Sequence, residues 1–404
     1  AIRALHAYPS KTTCLAATLW WLLMHTGAHA ATINVTTTVD ELVSNGVCSL
    51  REAIIAANTD TAVGGCTAGA GGDVITLAAG VYTLTLGGAG EDSAQTGDLD
   101  TMGALTINGA GRSTTVVDGN AADRVFHIIN GSLSLSSLTV RNGALADITA
   151  SGGAIYVGNQ LLSLNNVAIS SSRSAQDGGG LYADHGSITV TNSIIQDNAA
   201  NGRGGAIAIF GSTGSIGSTV LTVQNSVILG NSTTGFDGGG IYASRATVNV
   251  THTRLTGNTS NMSGGAMYGF QALFGVTQSL LDVNVAARGG ALAYSSTSAN
   301  LLNVTLSSNK ATGFGGGVYA AASDVSVNNT TIARNTASSG PGIYTELVTT
   351  LRLANSIVAD NTGSGNIASE INGPLTSSGY NLIEFYRPPF GNPGDTGNPN
   401  DIVG

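Results

Sequence analysis

The stretch GGALAYSSTSANLLNVTLSSNKATGF, from Gly289 to Phe314, is followed at once by GGGVYAAASDVSVNNTTIARNTASS, from Gly315 to Ser339. Laid over one another, the two put aliphatic on aliphatic (Leu292 on Val318, Leu306 on Ile332) and asparagine on asparagine (Asn303 on Asn329, Asn309 on Asn335). The same beat runs through the chain. A Gly-Gly-(Ala/Gly)-aliphatic motif starts at Gly152, Gly178, Gly204, Gly238, Gly264, Gly289 and Gly315, and a GPGIY variant starts at Gly340. The spacing is 25 or 26 residues except between Gly204 and Gly238, where the stretch Gly211 to Ser218 is inserted. A second motif, Asn-x-x-aliphatic-x-x-Asn, keeps phase with the first. Clear copies run from Asn192 to Asn198, Asn225 to Asn231, Asn303 to Asn309, Asn329 to Asn335 and Asn355 to Asn361, while His252 and Gln278 replace the first Asn in two further copies. Two motifs in phase over eight turns define a solenoid.

The content of the repeat selects which solenoid. No unit holds a run of helix formers long enough for a helical repeat, and none has a leucine-dense consensus. Each holds short aliphatic runs broken by Gly, Asn, Asp or Ser, which fits an all-β parallel β-helix with coils of about 25 residues. Coils then stack at about 4.8 Å, so equivalent residues lie over one another. Stacked aliphatics fill the core, stacked Asn residues form amide ladders and occupy left-handed turns, and glycines allow tight corners.

Composition agrees. The chain has 404 residues, 57 of them glycine, with 42% hydrophobic, 5% aromatic and 10% charged residues. Disorder, a coiled coil and collagen are excluded, since the chain is neither hydrophobe-poor nor rich in helix formers nor glycine-periodic. With 15 Lys+Arg against 24 Asp+Glu, nucleic acid is not an expected partner.

Arg3 and Lys11, the apolar run Cys14 to Met24, and Ala28-His29-Ala30 predict a secretory signal peptide over 1–30, cleaved after Ala30. That run is too short to span a bilayer, and no later segment reads as a membrane helix. Cleavage removes two basic residues and no acidic one, leaving the remainder more acidic than the −9 of the whole chain. Of the 3 cysteines, Cys14 leaves with the leader, and Cys48 and Cys66 predict a disulfide, the default in an exported protein. Open sheet edges at the ends of a stack need covering. CSLREAIIAAN, from Cys48 to Asn58, predicts a capping helix. Ser49 and Glu52 form a capping box, and Leu50, Ala53, Ile54 and Ala57 form an apolar face. The expected organisation is a leader over 1–30, an N-terminal cap over 31–72, the β-helix over 73–362 and a C-terminal cap region over 363–404.

CSLREAIIAAN resembles the N-terminal signature of CSLREA-domain proteins, and GGDVITLAAGVYTL from Gly71 and GDLD from Gly97 are similar to the segments downstream of that signature in the same family. The GGAIY and Asn repeats resemble the polymorphic outer-membrane-protein type of β-helix repeat. Ser377 to Ile383 and Asp401 to Gly404 resemble the start of a C-terminal domain that precedes a surface anchor. The resemblance implies a right-handed parallel β-helix, exported by a bacterium and held on or near its surface, with the chain cut short of its anchor. It assigns no catalytic residue and no cofactor.

The columns of the repeat supply the candidate site. The residue before each Gly-Gly motif reads Ser151, Asp177, Arg203, Asp237, Ser263, Arg288, Phe314 and Ser339. Asp177, Arg203 and Asp237 thus fall on adjacent coils, either as a surface ion ladder or as a polar site that binds or acts on a glycan. The residue after the aliphatic reads Tyr156, Tyr182, Ala208, Tyr242, Tyr268, Ala293, Tyr319 and Tyr344. Strand alternation points this column outward, where Tyr182 and Tyr242 either brace the sheet or pack against sugar rings or a partner protein. The acid-rich loop with Glu91, Asp92, Asp98 and Asp100 lacks EF-hand spacing and reads as a turn, and His127, His185 and His252 show no ligand pattern, so no metal site is expected. No G-x-S-x-G, phosphate-loop or metalloprotease motif occurs. The function expected is a non-enzymatic surface protein with a structural or adhesive role, binding an extracellular glycan or a surface protein. The alternative is a polysaccharide lyase or glycoside hydrolase.

Overall fold

The structure, a computed structural model, describes residues 30–404 except 89, 146–148, 215–216, 347, 364–368 and 388–395. The leader expected over 1–30 lies, but for Ala30, outside the described residues.

One coil shows how the repeat folds. It runs through the strands Leu181–Asp184, Ser187–Thr191, Ile194–Gln196 and Ala199–Ala200. Each pairs in parallel with its equivalent one coil ahead, matching Leu181 to Ile207, Ile188 to Leu221, Ile195 to Ile228 and Ala200 to Thr233. Repetition builds four parallel sheets of 13, 11, 13 and 8 strands among the described residues. The chain is a parallel β-solenoid. Period-2 alternation sends Ile188 and Val190 inward and Ser187, Thr189 and Thr191 outward, so the interior is a set of aliphatic columns such as Ile169, Ile195, Ile228 and Leu255, all fully buried. Burying each such side chain contributes about 1.5–3 kcal/mol. The insertion between Phe210 and Val220 lies between two strands and leaves both registers intact. The sheets extend past the span 73–362 read from the repeat. Thr32–Asn34 pairs with Asp73–Leu77 at one end, and Thr376–Gly379, Leu382–Ile383 and Ile402–Val403 continue the stack at the other. These outer strands lack the Gly-Gly and double-Asn signature, which is why the sequence pattern stops short of them.

The two glycines of the repeat motif have different reasons. The first adopts left-handed backbone, with φ +67 at Gly178 and +65 at Gly204. The second is forced by close approach: a Cβ on Gly179 would lie 2.4 Å from the carbonyl oxygen of Gly205 in the next coil.

The two asparagines also part ways. The first Asn of each motif sits in left-handed backbone, at φ 53 in Asn192 and 49 in Asn225, and so do His252 and Gln278 at φ 48 and 47. Its requirement is a backbone conformation, which other polar residues meet. The second Asn is buried and forms a side-chain ladder. Nδ2 of Asn198 donates to Oδ1 of Asn231, and the chain of bonds continues through Asn258, Asn284, Asn309, Asn335 and Asn361 at 2.8–3.1 Å. Each Oδ1 also accepts from the backbone N–H of the preceding rung, as Asn284 Oδ1 does from Asn258. Each Nδ2 also donates to a backbone carbonyl, as Asn284 does to Leu255. No shorter side chain reaches all of these partners, so this column admits no replacement between Asn198 and Asn361.

The N-terminal end is covered by one helix, α1 (Leu50–Thr59), which packs on the strands Thr32–Asn34, Asp73–Leu77 and Leu99–Thr101. The expected capping box is present, with Ser49 Oγ accepting from the Glu52 N–H and Glu52 from the Ser49 N–H. Cys48 and Cys66 are joined by a disulfide. The buried face is wider than expected. Leu50, Ala53 and Ile54 are buried and Ala57 packs half-buried against the core, with Ala56, Arg51 and Glu52 buried as well. Arg51 is fully enclosed by an ion pair with Asp40 and by the carbonyls of Ala94 and Gly97, to which it donates. A polar residue on an apolar helix is thereby the clamp that fixes the 94–98 loop.

At the other end the Asn ladder meets Glu370, whose carboxyl accepts from both the backbone N–H and Nδ2 of Asn361. Burial pushes the Glu370 carboxyl up to about 7, against those two bonds and with Glu384 adding to the rise.

These contacts predict two outcomes. Asn284→Ala removes the acceptor of the Asn258 N–H and of one Asn258 Nδ2 proton, and the side-chain donor to the carbonyl of Leu255. Denaturant unfolding is expected to show a loss of about 3 kcal/mol or more, whereas the exposed Asn300→Ala stays within about 0.5 kcal/mol. For Glu370, the folded state holds the proton that an unfolded chain releases near 4.5, so its contribution to stability is whole below that pH and declines up to about 7. The wild-type urea midpoint should therefore fall between pH 5 and pH 8 by more than that of Glu370→Gln, a difference on the order of 2 kcal/mol.

Candidate functional site

The 11-stranded sheet presents the outward column. Its register aligns Asp100 with His127, Tyr156, Tyr182, Ala208, Tyr242, Tyr268, Ala293, Tyr319 and Tyr344 in that order. Inward neighbours such as Ile155, Val157, Leu181 and Ala183 are fully buried, which fixes the outward direction of the tyrosines. The tyrosine column found in the sequence therefore continues two coils further toward the N-terminus, as a histidine and an aspartate.

The rings stack on one another. Tyr156 and Tyr182 lie 5.2 Å apart at 28°, and Tyr242 and Tyr268 lie 5.5 Å apart at 9°. Ala208 leaves no gap, because Phe210 of the same strand bridges Tyr182 and Tyr242 at 5.5 and 5.2 Å. Face-to-face stacking along the solenoid axis covers the ring faces, leaving Tyr242 and Tyr319 only 6% and 7% exposed. A platform on which a sugar lies flat needs a free ring face. This column instead presents ring edges, with the hydroxyls of Tyr242, Tyr268 and Tyr319 engaged by Ser244, Ser295 and Glu346. Burial raises the Tyr182 and Tyr242 phenols above their ordinary value, and burial with nearby acids brings Tyr268 to about 12, so all remain neutral donors at physiological pH.

Asp177, Arg203 and Asp237 lie on successive coils at the rim of this column, linked by the N–H groups of Gly178 and Gly204. Asp177 accepts from the Arg203 backbone N–H at 2.6 Å and faces its guanidinium at 3.6 Å. Arg203 spreads over the rings of Phe236 and Tyr242, at 4.9 and 5.4 Å. Asp237 is bonded to Ser263 of the coil beyond. Burial raises both carboxyls, with Arg203 pulling each back. The structure thus brings Asp177, Arg203 and Tyr242 into one group, places Tyr182 one ring away across Phe210, and turns Asp237 toward Ser263.

The head of the column holds a cluster that the sequence pattern does not assemble. Asp92, Asp100 and His127 each offer one ligand atom, all within 4.8 Å of one another. Asp100 Oδ2 accepts from the Ala94 N–H at 2.8 Å, and Asp100 is fully buried. His127 packs edge-on against Tyr156 at 5.1 Å. Arg124 pairs with Asp98 at 2.7 Å and lies over the Tyr156 ring. Burial, with the like charges of Asp100 and Asp123, lifts the Asp98 carboxyl to about 7 against the pull of Arg124. The cap builds this corner. Arg51 holds the carbonyls of Ala94 and Gly97, and Asn58 brackets Asp100 by donating to its carbonyl and accepting from the Met102 N–H. The sequence shows no ligand pattern around His127; the strand register and the 92–98 loop set it beside Asp92 and Asp100. The early coils lack the Gly-Gly motif, so the columns could not be aligned from sequence. The usable signal was the apolar-polar-apolar pattern Phe126-His127-Ile128, which matches Ile155-Tyr156-Val157.

Among the described residues no helix is long and apolar enough to cross a membrane. No curated protein matches the chain. Solved structures with similar folds include the Agl-KA catalytic domain (15% identity, TM-score 0.41), covering 76% of this chain and 63% of that one. The A-module of an Azotobacter vinelandii mannuronan C-5 epimerase has 14% identity, a TM-score of 0.41 and coverage of 83% and 90%. A PL6 family alginate lyase has 11% identity, a TM-score of 0.42 and coverage of 83% and 51%. At these values the likeness carries nothing about activity. Residues 303–321 match the Chlamydia polymorphic membrane protein repeat. The match falls across two successive coils and takes in Asn309 of the ladder, so one turn of this parallel β-solenoid is similar to that family's repeat.

Proposed function

We propose that this chain is an exported, non-enzymatic β-helix displayed at a cell surface, with an adhesive role exerted on an extracellular glycan through the outward face of the 11-stranded sheet. The observation that carries this reading is the unbroken column from His127 to Tyr268, with Asp177 and Arg203 alongside it. The stacked rings of Tyr156 and Tyr182 present neutral hydroxyl donors near the Asp177–Arg203 pair, and such donors suit a polyhydroxylated chain. The repeat shared with a surface-protein family supports the location. In this reading residues 1–30 are an export leader, 31–72 a cap, 73–362 the regular part of the displayed β-helix and 363–404 a C-terminal cap region.

A second reading, a lyase or hydrolase acting on an extracellular polysaccharide, is favoured by one observation. Asp98, raised to about 7, lies beside Asp100 and Asp123, and such a group is suited to proton transfer at neutral pH.

A glycan array probed with the purified chain tests the first reading. Tyr182→Phe keeps the ring stack and removes one hydroxyl, and Arg203→Ala removes the flanking cation. Both should weaken binding about tenfold or more while Tyr182→Phe leaves the unfolding midpoint unchanged. Failure to retain any glycan, or equal retention by both variants, would sink the proposal. Turnover on a lyase and hydrolase panel, abolished by Asp98→Asn or by Asp177→Ala with Asp237→Ala, would replace it with the enzymatic reading.

A further inference from the structure

The cluster at the head of the column has the geometry of a cation site. His127 Nδ1 lies 3.2 Å from Asp100 Oδ1 and 3.6 Å from Asp92 Oδ1. Two ligands bound at 2.0–2.2 Å to one tetrahedral ion lie about 3.4 Å apart, so both separations suit a shared ion.

A second observation concerns Asp100 alone. Its Oδ2 is occupied by the Ala94 N–H, but Oδ1 is buried and accepts no hydrogen bond. His127 Nδ1 lies 3.2 Å from this oxygen without hydrogen-bonding to it. A buried carboxylate oxygen left without a partner is costly. The strand Leu99–Thr101 and the neighbouring strand Phe126–Ile128 hold Asp100 and His127 in register, and Arg51 and Asn58 fix the loop that brings Asp92 across. The elements are rigid, and the third ligand arrives on a segment clamped from below.

We infer that Asp92, Asp100 and His127 bind a divalent cation of the zinc class. The donor set of one imidazole and two carboxylates matches such an ion better than calcium, which takes six to eight oxygens. Asp92 is 72% exposed and His127 22%, so the fourth position faces solvent and is open to water or a ligand oxygen. The ion would neutralise the carboxylates gathered at this corner and lock the capping loop to the first coils.

Isothermal titration of the metal-free chain with zinc chloride tests this, with calcium chloride as a second probe. One saturable zinc site is expected, weakened at least tenfold by Asp92→Asn, Asp100→Asn and His127→Gln. It should be unchanged by His185→Gln, which alters an exposed histidine elsewhere. Zinc should also raise the unfolding midpoint of the wild type and not that of Asp100→Asn. Because Asp92 is on the surface, Asp92→Asn leaves folding intact and keeps the test informative if Asp100→Asn misfolds. Absence of saturable zinc binding, a site that survives Asp92→Asn and His127→Gln, or stoichiometric binding of calcium with zinc excluded would each overturn the inference. The first of these would leave His127 and its two aspartates as an ion pair. None of these outcomes touches the glycan test, which reads Tyr182→Phe and Arg203→Ala.

Discussion

In-register stacking at about 4.8 Å is the constraint on which everything else depends. It makes each residue's nearest neighbour its own equivalent, so a buried polar side chain fits best when it can bond to a copy of itself. The buried Asn column satisfies that demand completely. An amide both donates and accepts, so Asn284 gives to Asn309 and takes from Asn258, and the same rung serves the backbone on either side. Serine and threonine solve the problem at another corner, where Ser193, Ser226 and Thr253 each accept from a backbone N–H one coil back. A ladder of this kind is as strong as its ends. At the C-terminal end the last amide is met by Glu370, an acceptor with two oxygens where a further amide would leave one donor unmet.

The same constraint decides how charge is used. Stacked like charges repel, so ion pairs run between coils rather than within them. Arg141 meets Asp118, Arg254 meets Asp282, Arg334 meets Asp360 and Arg352 meets Asp324, each pair joining neighbouring coils. Arg203 and Asp177 belong to this class by geometry, and exposed pairs of this kind contribute little to stability. What sets Arg203 apart is its second contact, with the rings of Phe236 and Tyr242, which joins the ion ladder to the aromatic column.

Much of this was legible in the sequence, for a physical reason: a repeat displays the same constraint many times over. Seven Gly-Gly motifs and a Gly-Pro-Gly variant disclosed the period and the outward tyrosines. The substitutions at His252 and Gln278 marked the first Asn as a conformational position, and the unbroken second Asn marked the buried one. The parts that were not legible are those where the repeat is broken. Phe210 replaces a missing tyrosine from two positions along, which a column-by-column reading registers only as Ala208. Arg51 is buried through partners more than 40 residues away, a contact that helical periodicity does not encode.

The head of the stack departs from the rules furthest. Asp92, Asp98, Asp100 and Asp123 gather there with one arginine and one histidine, in a protein that elsewhere separates like charges coil by coil. Local rules are usually broken where something other than stability is being served. Here the break is also expensive in structure: a buried arginine, a buried capping glutamate and a disulfide hold the cap that shapes this corner. A cap whose task was only to cover a sheet edge needs an apolar face and nothing more. The polar machinery beneath α1 is accounted for if the cap also positions Asp92 and Asp100 against His127, and the aromatic column then begins at a charged site rather than at a blunt end.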